Sequence, residues 1–255
     1  MVVNTIKALI NISIEKDKVY IKDTLLLLLF DIVNLLIQIL FFKIIFMHFN
    51  IIKGFSFNEV IFIVITAQII EILYNSFFMG GFSSMSSWVA MGKFDYFLLL
   101  PQHRELIMNL YEMNMKNLIE IIFPLLLLVK YNPFKYFWDI PLYIVFILLG
   151  LFVRYSFGYF IASLAVIYTR IDTLQMIENM LFSYSIFPYV IYKQIAKWIF
   201  VVIIPLGLVA NIPFAYFNSH SLYLIFLAMI ISSVYLILGK LIYIKFLKKY
   251  QSAGG

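Results

Sequence analysis

Long apolar stretches separated by short polar ones dominate the pattern along this chain. The stretches lie at about 23–47, 58–80, 105–130, 138–168, 173–218 and 219–246. Each holds about 20 residues or more, enough to cross the roughly 30 Å core of a bilayer as an α-helix rising ~1.5 Å per residue. The pattern predicts an all-α polytopic membrane protein with six transmembrane helices in a single domain over residues 1–255. The connecting loops are too short to hold a soluble domain. Residues 1–21 read differently. Val3, Ile6, Ile10 and Ile14 share one helix face, while Lys7, Lys16 and Lys18 lie off it. This spacing suits a helix lying on the inner membrane surface, with a frayed tail as the alternative. The segment lacks the long apolar centre and small-residue cleavage site of a removable signal.

The fifth stretch is too long for one crossing. We expect a span at about 173–190, ending near Phe187 and Pro188, and then an outer region over 191–218. There Tyr192, Lys193, Gln194 and Lys197 form a polar surface, and WIFVVIIPLGLVANIPFAYF dips into the membrane and returns. Pro205, Gly207, Asn211 and Pro213 supply the breaks. Irregular backbone at membrane depth must be covered by protein or line a wet cavity, so this re-entrant hairpin should pack against other helices. A proline-kinked seventh span over 196–218 is the alternative.

Composition strengthens the membrane assignment: 64% of residues are apolar, 13% are charged, and mean hydropathy is +0.99. Soluble domains sit near half apolar and a quarter charged. The net charge of +6 is spread over loops and both ends, which is no nucleic-acid footprint. It reads instead as orientation charge. Lys7, Lys16, Lys18 and Lys22, then Lys93 and Arg104, then Arg170, and finally Lys240, Lys245, Lys248 and Lys249 fall on one side of a six-crossing chain. That side should be the cytoplasm, with both termini on it and the protein in the cell membrane. Lys53, Lys130 and Lys135 are the exceptions. Trp138 and Trp198 fall near the outer boundary and Trp88 near the inner one, where tryptophan is favoured.

Catalytic chemistry is hard to place. There is no phosphate-cradling GxxxxGK[ST] loop, no HExxH and no GxSxG elbow. Without cysteine the chain has neither disulfides nor thiolate metal sites. His48, His103 and His220 lie near membrane edges on different sides, so no metal centre is expected. Charges inside the spans are more informative, because each costs about 2.5–3.5 kcal/mol at the bilayer centre on insertion scales and must face protein or water. Asp31 lies in span one, Glu71 in span two and Arg154 near the middle of span four. In span three, Glu112, Lys116 and Glu120 follow at i, i+4, i+8 and would share a helix face extended by Asn109. Depth counting puts Glu120 and Arg154 at similar heights on consecutive antiparallel helices. We expect them to pair, either to fix packing or to line a substrate path.

The segment 83–104 is too long for a tight turn and too apolar for a free loop. Gly92 permits a sharp bend. Phe94, Tyr96, Phe97 and Leu98 to Leu100 present an apolar face, and Pro101 ends it or opens the next helix. It suits a partner-docking element or an interfacial helix. GKFDYFLLLP at 92–101 resembles the G-x-hydrophobic-D-x-x-L-x-x-P signature of the membrane subunits of type-2 ABC exporters, matched by Gly92, Phe94, Asp95, Leu98 and Pro101. The terminal KFLKKYQSAGG resembles that family's basic-Tyr-x-Ser-Ala-Gly ending, here Tyr250, Ser252, Ala253 and Gly254. The proline-bearing outer segments match as well. The family often has arginine before its proline, where this chain has Leu100.

The resemblance implies a permease subunit that dimerises with itself or a related permease. It implies that 83–104 couples to a separate cytoplasmic ATPase, which carries the ATP and Mg. The cargo would be a peptide, lipid or hydrophobic drug moved outward. Two other readings stay open: an ion-coupled secondary transporter using Asp31, Glu71 or Glu120, and a membrane scaffold that binds a partner and transports nothing.

Overall fold

In the computed structural model, the described residues are 2–19, 21–49, 51, 54–100, 104–168, 171–192 and 204–251. Among them the regular structure is helical. The helices are α1 (Val2–Val19), α2 (Ile21–His48), α3 (Phe57–Tyr74), α4 (Gly80–Ala90), α5 (Phe94–Leu98), α6 (Arg104–Tyr111) and α7 (Ile122–Tyr131). They continue with α8 (Asp139–Ser163), α9 (Asp172–Ser183), α10 (Leu206–Ser219) and α11 (Leu222–Leu247).

Among the described residues, four helical stretches are long and apolar enough to cross a membrane: Leu25–His48, Phe57–Ala90, Asp139–Val166 and Leu222–Leu247. The third and fifth expected spans are in pieces. The third comprises α6, a 3-10 segment (Met115–Ile121) and α7. Pro124, in the first turn of α7, has no N–H for the Glu120 carbonyl and its ring crowds that position, so the chain before it cannot wind as regular α-helix. The fifth is the 12-residue α9 followed by 3-10 turns at Tyr184–Ile186 and Tyr189–Ile191, on either side of Pro188.

Helix α3 is the centre of the molecule. It is buried almost all round from Val60 to Ile72, as expected for a helix that is apolar on every face. Helices α2, α7, α8 and α10 surround it. Helix α11 lies along α8 through a stripe of Ala228, Ser232 and Gly239, which lets the two backbones approach closely. Ser232 Oγ donates to the Leu149 carbonyl across that seam. By contrast α2 buries only Leu35 and Phe42 of its described side chains, and it is the most loosely docked of the long helices by burial.

A π-helical turn (Asn75–Met79) joins α3 to α4, so the helix of span two runs on to Ala90. Residues 83–90 of the expected coupling segment are therefore helical, and the chain turns only after Ala90. The π-turn lies against the break between α6 and the 3-10 segment, where the Asn114 N–H donates to the Ser76 carbonyl at 2.9 Å. Helix α1 covers the other side of the break. Ser13 Oγ donates to the Met113 carbonyl at 2.8 Å, and Asp17 accepts from the Lys116 N–H at 2.9 Å. The packed face of α1 runs through half-buried Ile6 and Ile10 to buried Ser13, while Ile12 and Ile14 are exposed.

Helix α10 covers most of the second half of the expected re-entrant region. Val209 packs beside Gly150 in the body of α8, and the far end brings His220 within 3.5 Å of Asp139 at the start of α8. Asn211 holds the broken strand around Pro188, accepting from the Tyr189 N–H and donating to the Phe187 carbonyl. The entering limb, 193–203, lies outside the described residues.

The contact between α4 and α6 depends on Gly80 and Gly81. A Cβ on Gly81 would lie 2.6 Å from the Asn109 Cα, against backbone that cannot move aside like a flexible side chain. Gly81→Ala should cost about 1–3 kcal/mol by overpacking. The expected result is a fall of several degrees in the melting midpoint of the purified chain, with Ser83→Ala, at an exposed position of the same helix, unchanged. Equal midpoints for the two variants would show that this interlock is not tight.

Candidate functional site: a buried arginine node, a polar cavity and a coupling element

Arg154 is fully buried in the middle of α8. Its Nε donates to Glu71 at 3.1 Å, Nη2 donates to Asn179 at 2.6 Å, and Nη1 pairs with Glu178. The guanidinium plane stacks between Tyr74 and Phe182, 3.8 and 4.3 Å from the ring centroids. A charge at this depth is tolerated only when paired, and here it is paired twice and sandwiched. The expected Glu120–Arg154 pair does not form. The partners come from α3 and α9, and Glu120 lines the same cavity as Glu71 without pairing with Arg154.

Glu120 instead meets Asp31 of α2, carboxyl to carboxyl. The pair edges a cavity of about 200 Å³ between α2, α3, the 3-10 segment with the start of α7, and the end of α9. Its wall is built from two matching stripes. Asp31, Asn34 and Gln38 recur at i, i+3, i+7 on α2, and Gln68, Glu71 and Asn75 recur at the same spacing on α3. Gln68 donates to Gln38 across the gap at 3.0 Å. Phe123 and Phe182 close the apolar sides. Asp31 and Asn34 are exposed in the single chain, on a helix whose other exposed positions are mostly Leu, Ile and Phe.

The other two members of the expected span-three stripe separate as well. Glu112 pairs with Lys16 of α1 at 3.2 Å, and the Lys116 backbone is held by Asp17. The break at 112–114 rotates them away from one another, so the i, i+4, i+8 face does not exist. Asn109 donates to the Tyr155 hydroxyl. The residues missed from sequence are Glu178 and Asn179, which bind Arg154, and the amides Asn34, Gln38, Gln68 and Asn75. Their shared spacing was the available signal, since neutral polar side chains repeating on one face of a span face protein or water just as charges do.

The expected coupling element is compact. Gly92 has φ +70°, the left-handed conformation that glycine adopts without strain, and it turns the chain from α4 into α5. Phe94 is fully buried and meets Tyr250 edge-on at 5.1 Å, so two signature segments far apart in sequence pack together. Phe97 lies on Trp88 at 4.6 Å and against Tyr111 at 5.6 Å. Trp88 is thus buried in the cluster that also holds Phe94 and is flanked by Tyr250. Asp95 and Leu98 are half-buried, while Tyr96 and Leu99 project, 73% and 79% exposed. Pro101, His103, Arg170, Trp198, Ser252, Ala253 and Gly254 lie outside the described residues.

A family model described as "ABC-2 family transporter protein" matches residues 32–254. The chain therefore belongs to the ABC-2 transporter family. No curated protein and no solved structure matches it.

The pairing of Arg154 is open to a direct check. Arg154→Met leaves Glu178 buried without its cation, a loss of about 3–5 kcal/mol for a broken buried pair. Folded, monodisperse protein should fall sharply on gel filtration in detergent. Adding Glu178→Leu to the same chain should restore part of it, because the fully buried carboxylate is then gone and only Glu71, which borders the cavity, is left without its cation. An Arg154→Met chain as abundant and as heat-resistant as wild type would overturn the assignment.

Proposed function

We propose that this ABC-2 family chain is the permease subunit of an ATP-driven exporter, working as a dimer of permeases with a separate cytoplasmic ATPase. The ATP and Mg belong to that ATPase. The observation that carries this reading is the form of residues 91–100. A five-residue helix is clamped on its inner side by Tyr250, Trp88 and Tyr111 and offers Tyr96 and Leu99 outward. A rigid knob of this kind at the end of a long helix is suited to receive a push and pass it on. Gly92, Phe94, Asp95, Leu98 and Pro101 are the residues we assign to this coupling. The chain crosses the membrane six times in this reading, with broken third and fifth spans, a re-entrant outer hairpin and both termini in the cytoplasm.

Dimerisation is supported by α2. Asp31 and Asn34 cannot face hydrocarbon, so the exposed side of α2 must be covered by a second permease or by a wet path between two of them. The residues placed nearest that path are Asp31, Glu71 and Glu120. Arg154, Glu112 and Lys116 are engaged in packing. The ion-coupled carrier remains a second reading, favoured by the Asp31–Glu120 contact. Transport driven by an ion gradient without any ATPase would select it.

The docking assignment predicts which variants lose the ATPase. Leu99→Asp and Tyr96→Ala should purify from native membranes with normal stability but without the co-purifying nucleotide-binding chain that accompanies wild type. Phe94→Ala should lose thermal stability first, because its ring is inside. Retention of the ATPase by the Leu99→Asp, Tyr96→Ala double variant would sink the docking surface. Absence of any ATPase from intact wild-type complexes would sink the exporter reading.

A further inference from the structure

The cavity between α2 and α3 has a lopsided charge. Its lining includes Asp31, Glu71 and Glu120, and among the described residues none of the lining is Lys, Arg or His. Glu71 is balanced by Arg154. Asp31 and Glu120 both border the cavity, and among the described residues neither forms an ion pair with a basic side chain. Two ionised carboxylates in contact repel strongly wherever water is scarce. The complement they lack is a positive group between them.

Other features of the site point the same way. Asn75, on the α3 wall, has its side-chain oxygen buried with no hydrogen-bond donor among the described residues. An N–H donor satisfies that acceptor, whereas an anion or a hydrocarbon does not. Phe123 and Phe182 flank the space, and an aromatic face attracts a cation. Arg154 already makes that contact with Phe182 from its own side. An anionic headgroup would meet two carboxyls and no basic side chain. A purely apolar molecule would leave both carboxyls and the amides of Gln38 and Gln68 without new partners.

We propose that this cavity binds the positively charged nitrogen of an amphiphilic amine, held between Asp31 and Glu120, and that such amines are the class of cargo the permease moves. The volume of about 200 Å³ takes a headgroup and a short part of its chain, not a whole drug-sized molecule. The apolar remainder leaves along α2, whose exposed side is rich in Leu, Ile and Phe beside Asp31. The binding half of this proposal stands on the cavity alone. The transport half rests on the exporter reading.

The test uses the full chain in lipid nanodiscs with hexylammonium as the probe, and hexanol, hexanoate and sodium ion at the same concentration as comparators. A ligand that binds only the folded state raises its melting midpoint. Hexylammonium should raise the wild-type midpoint by several degrees and the comparators should not. Asp31→Asn and Glu120→Gln should each remove most of that shift. If either variant fails to fold, the discrimination among the four probes by wild type still decides. An equal shift with hexanol would mean apolar partition, and an equal shift with sodium would mean an inorganic cation site. Either outcome, or a shift untouched by both substitutions, overturns the proposal. None of these results alters ATPase co-purification, which reads Tyr96 and Leu99. Loss of the cargo assignment and loss of the exporter reading are therefore told apart. If the permease with its ATPase, rebuilt in vesicles, binds hexylammonium but shows no amine-stimulated ATP hydrolysis, the transport half fails and the site remains.

Discussion

The guanidinium of Arg154 has to be paired at the depth where it sits, and much of the architecture follows from that. Its two carboxylate partners come from elements on opposite sides, Glu71 from α3 and Glu178 from α9. Helix α9 is only 12 residues long and ends in irregular turns, so apolar packing alone gives it little to hold. Glu178 and Asn179 tie it to α8, and Gln175 donates to the Phe82 carbonyl of α4 at 2.7 Å. One buried cation thereby fixes three helices relative to one another. A lysine would not serve in its place. The planar fork reaches Glu71, Glu178 and Asn179 together while its face lies on Tyr74 and Phe182.

A second constraint is that backbone N–H and C=O groups cannot be left open in hydrocarbon. Span three breaks, and span two carries a π-turn at the same level. Set side by side, each irregularity offers the other a partner, as the Asn114 to Ser76 bond shows. Helix α1 supplies the remaining partners through Ser13 and Asp17, one turn apart. In the outer region Asn211 does the same for the chain around Pro188. Polar side chains that look out of place on hydropathy grounds are, at these positions, what makes broken helices possible.

How much of this was legible follows from which signals are local. Spans one, two, four and six are long apolar runs, and hydropathy with length places them. The turn at Gly92 was legible because its φ requires glycine. The break in the fifth stretch was legible in its prolines, and its expected end near Phe187 and Pro188 falls among the 3-10 turns. The break in the third stretch was not, although Pro124 stands inside that run. Depth counting on a continuous helix has no means of giving the azimuth, and Arg154 finds its partners on α3 and α9 instead of at Glu120. The packing of Trp88 on Phe97 and Tyr111 was not legible either, because such neighbours are set by tertiary structure. The cavity was half visible, since its charges stood out while its amides, at the same spacing, did not.

The cavity and the coupling element share one helix, and this joins the two halves of the proposed function. From Phe57 to Ala90 the helix of span two runs for 34 residues, roughly 50 Å. Gln68, Glu71 and Asn75 lie near its middle and the bend into α5 at its end. The π-turn begins at Asn75 itself and runs up to the Gly80–Gly81 interlock with α6. A displacement at Tyr96 and Leu99 first meets the aromatic clamp of Trp88, Phe97 and Tyr111, which ties α5 to α4 and α6. It then passes up a close-packed pair of helices to a turn whose hydrogen bonding is already irregular. The adjustable part of the path is therefore next to Asn75, on the cavity wall, and the stiff part is next to the surface we assign to ATPase docking. A transporter that spends ATP at one end to change affinity at the other needs that order of stiffness, because its two states must differ at the binding site for coupling to occur.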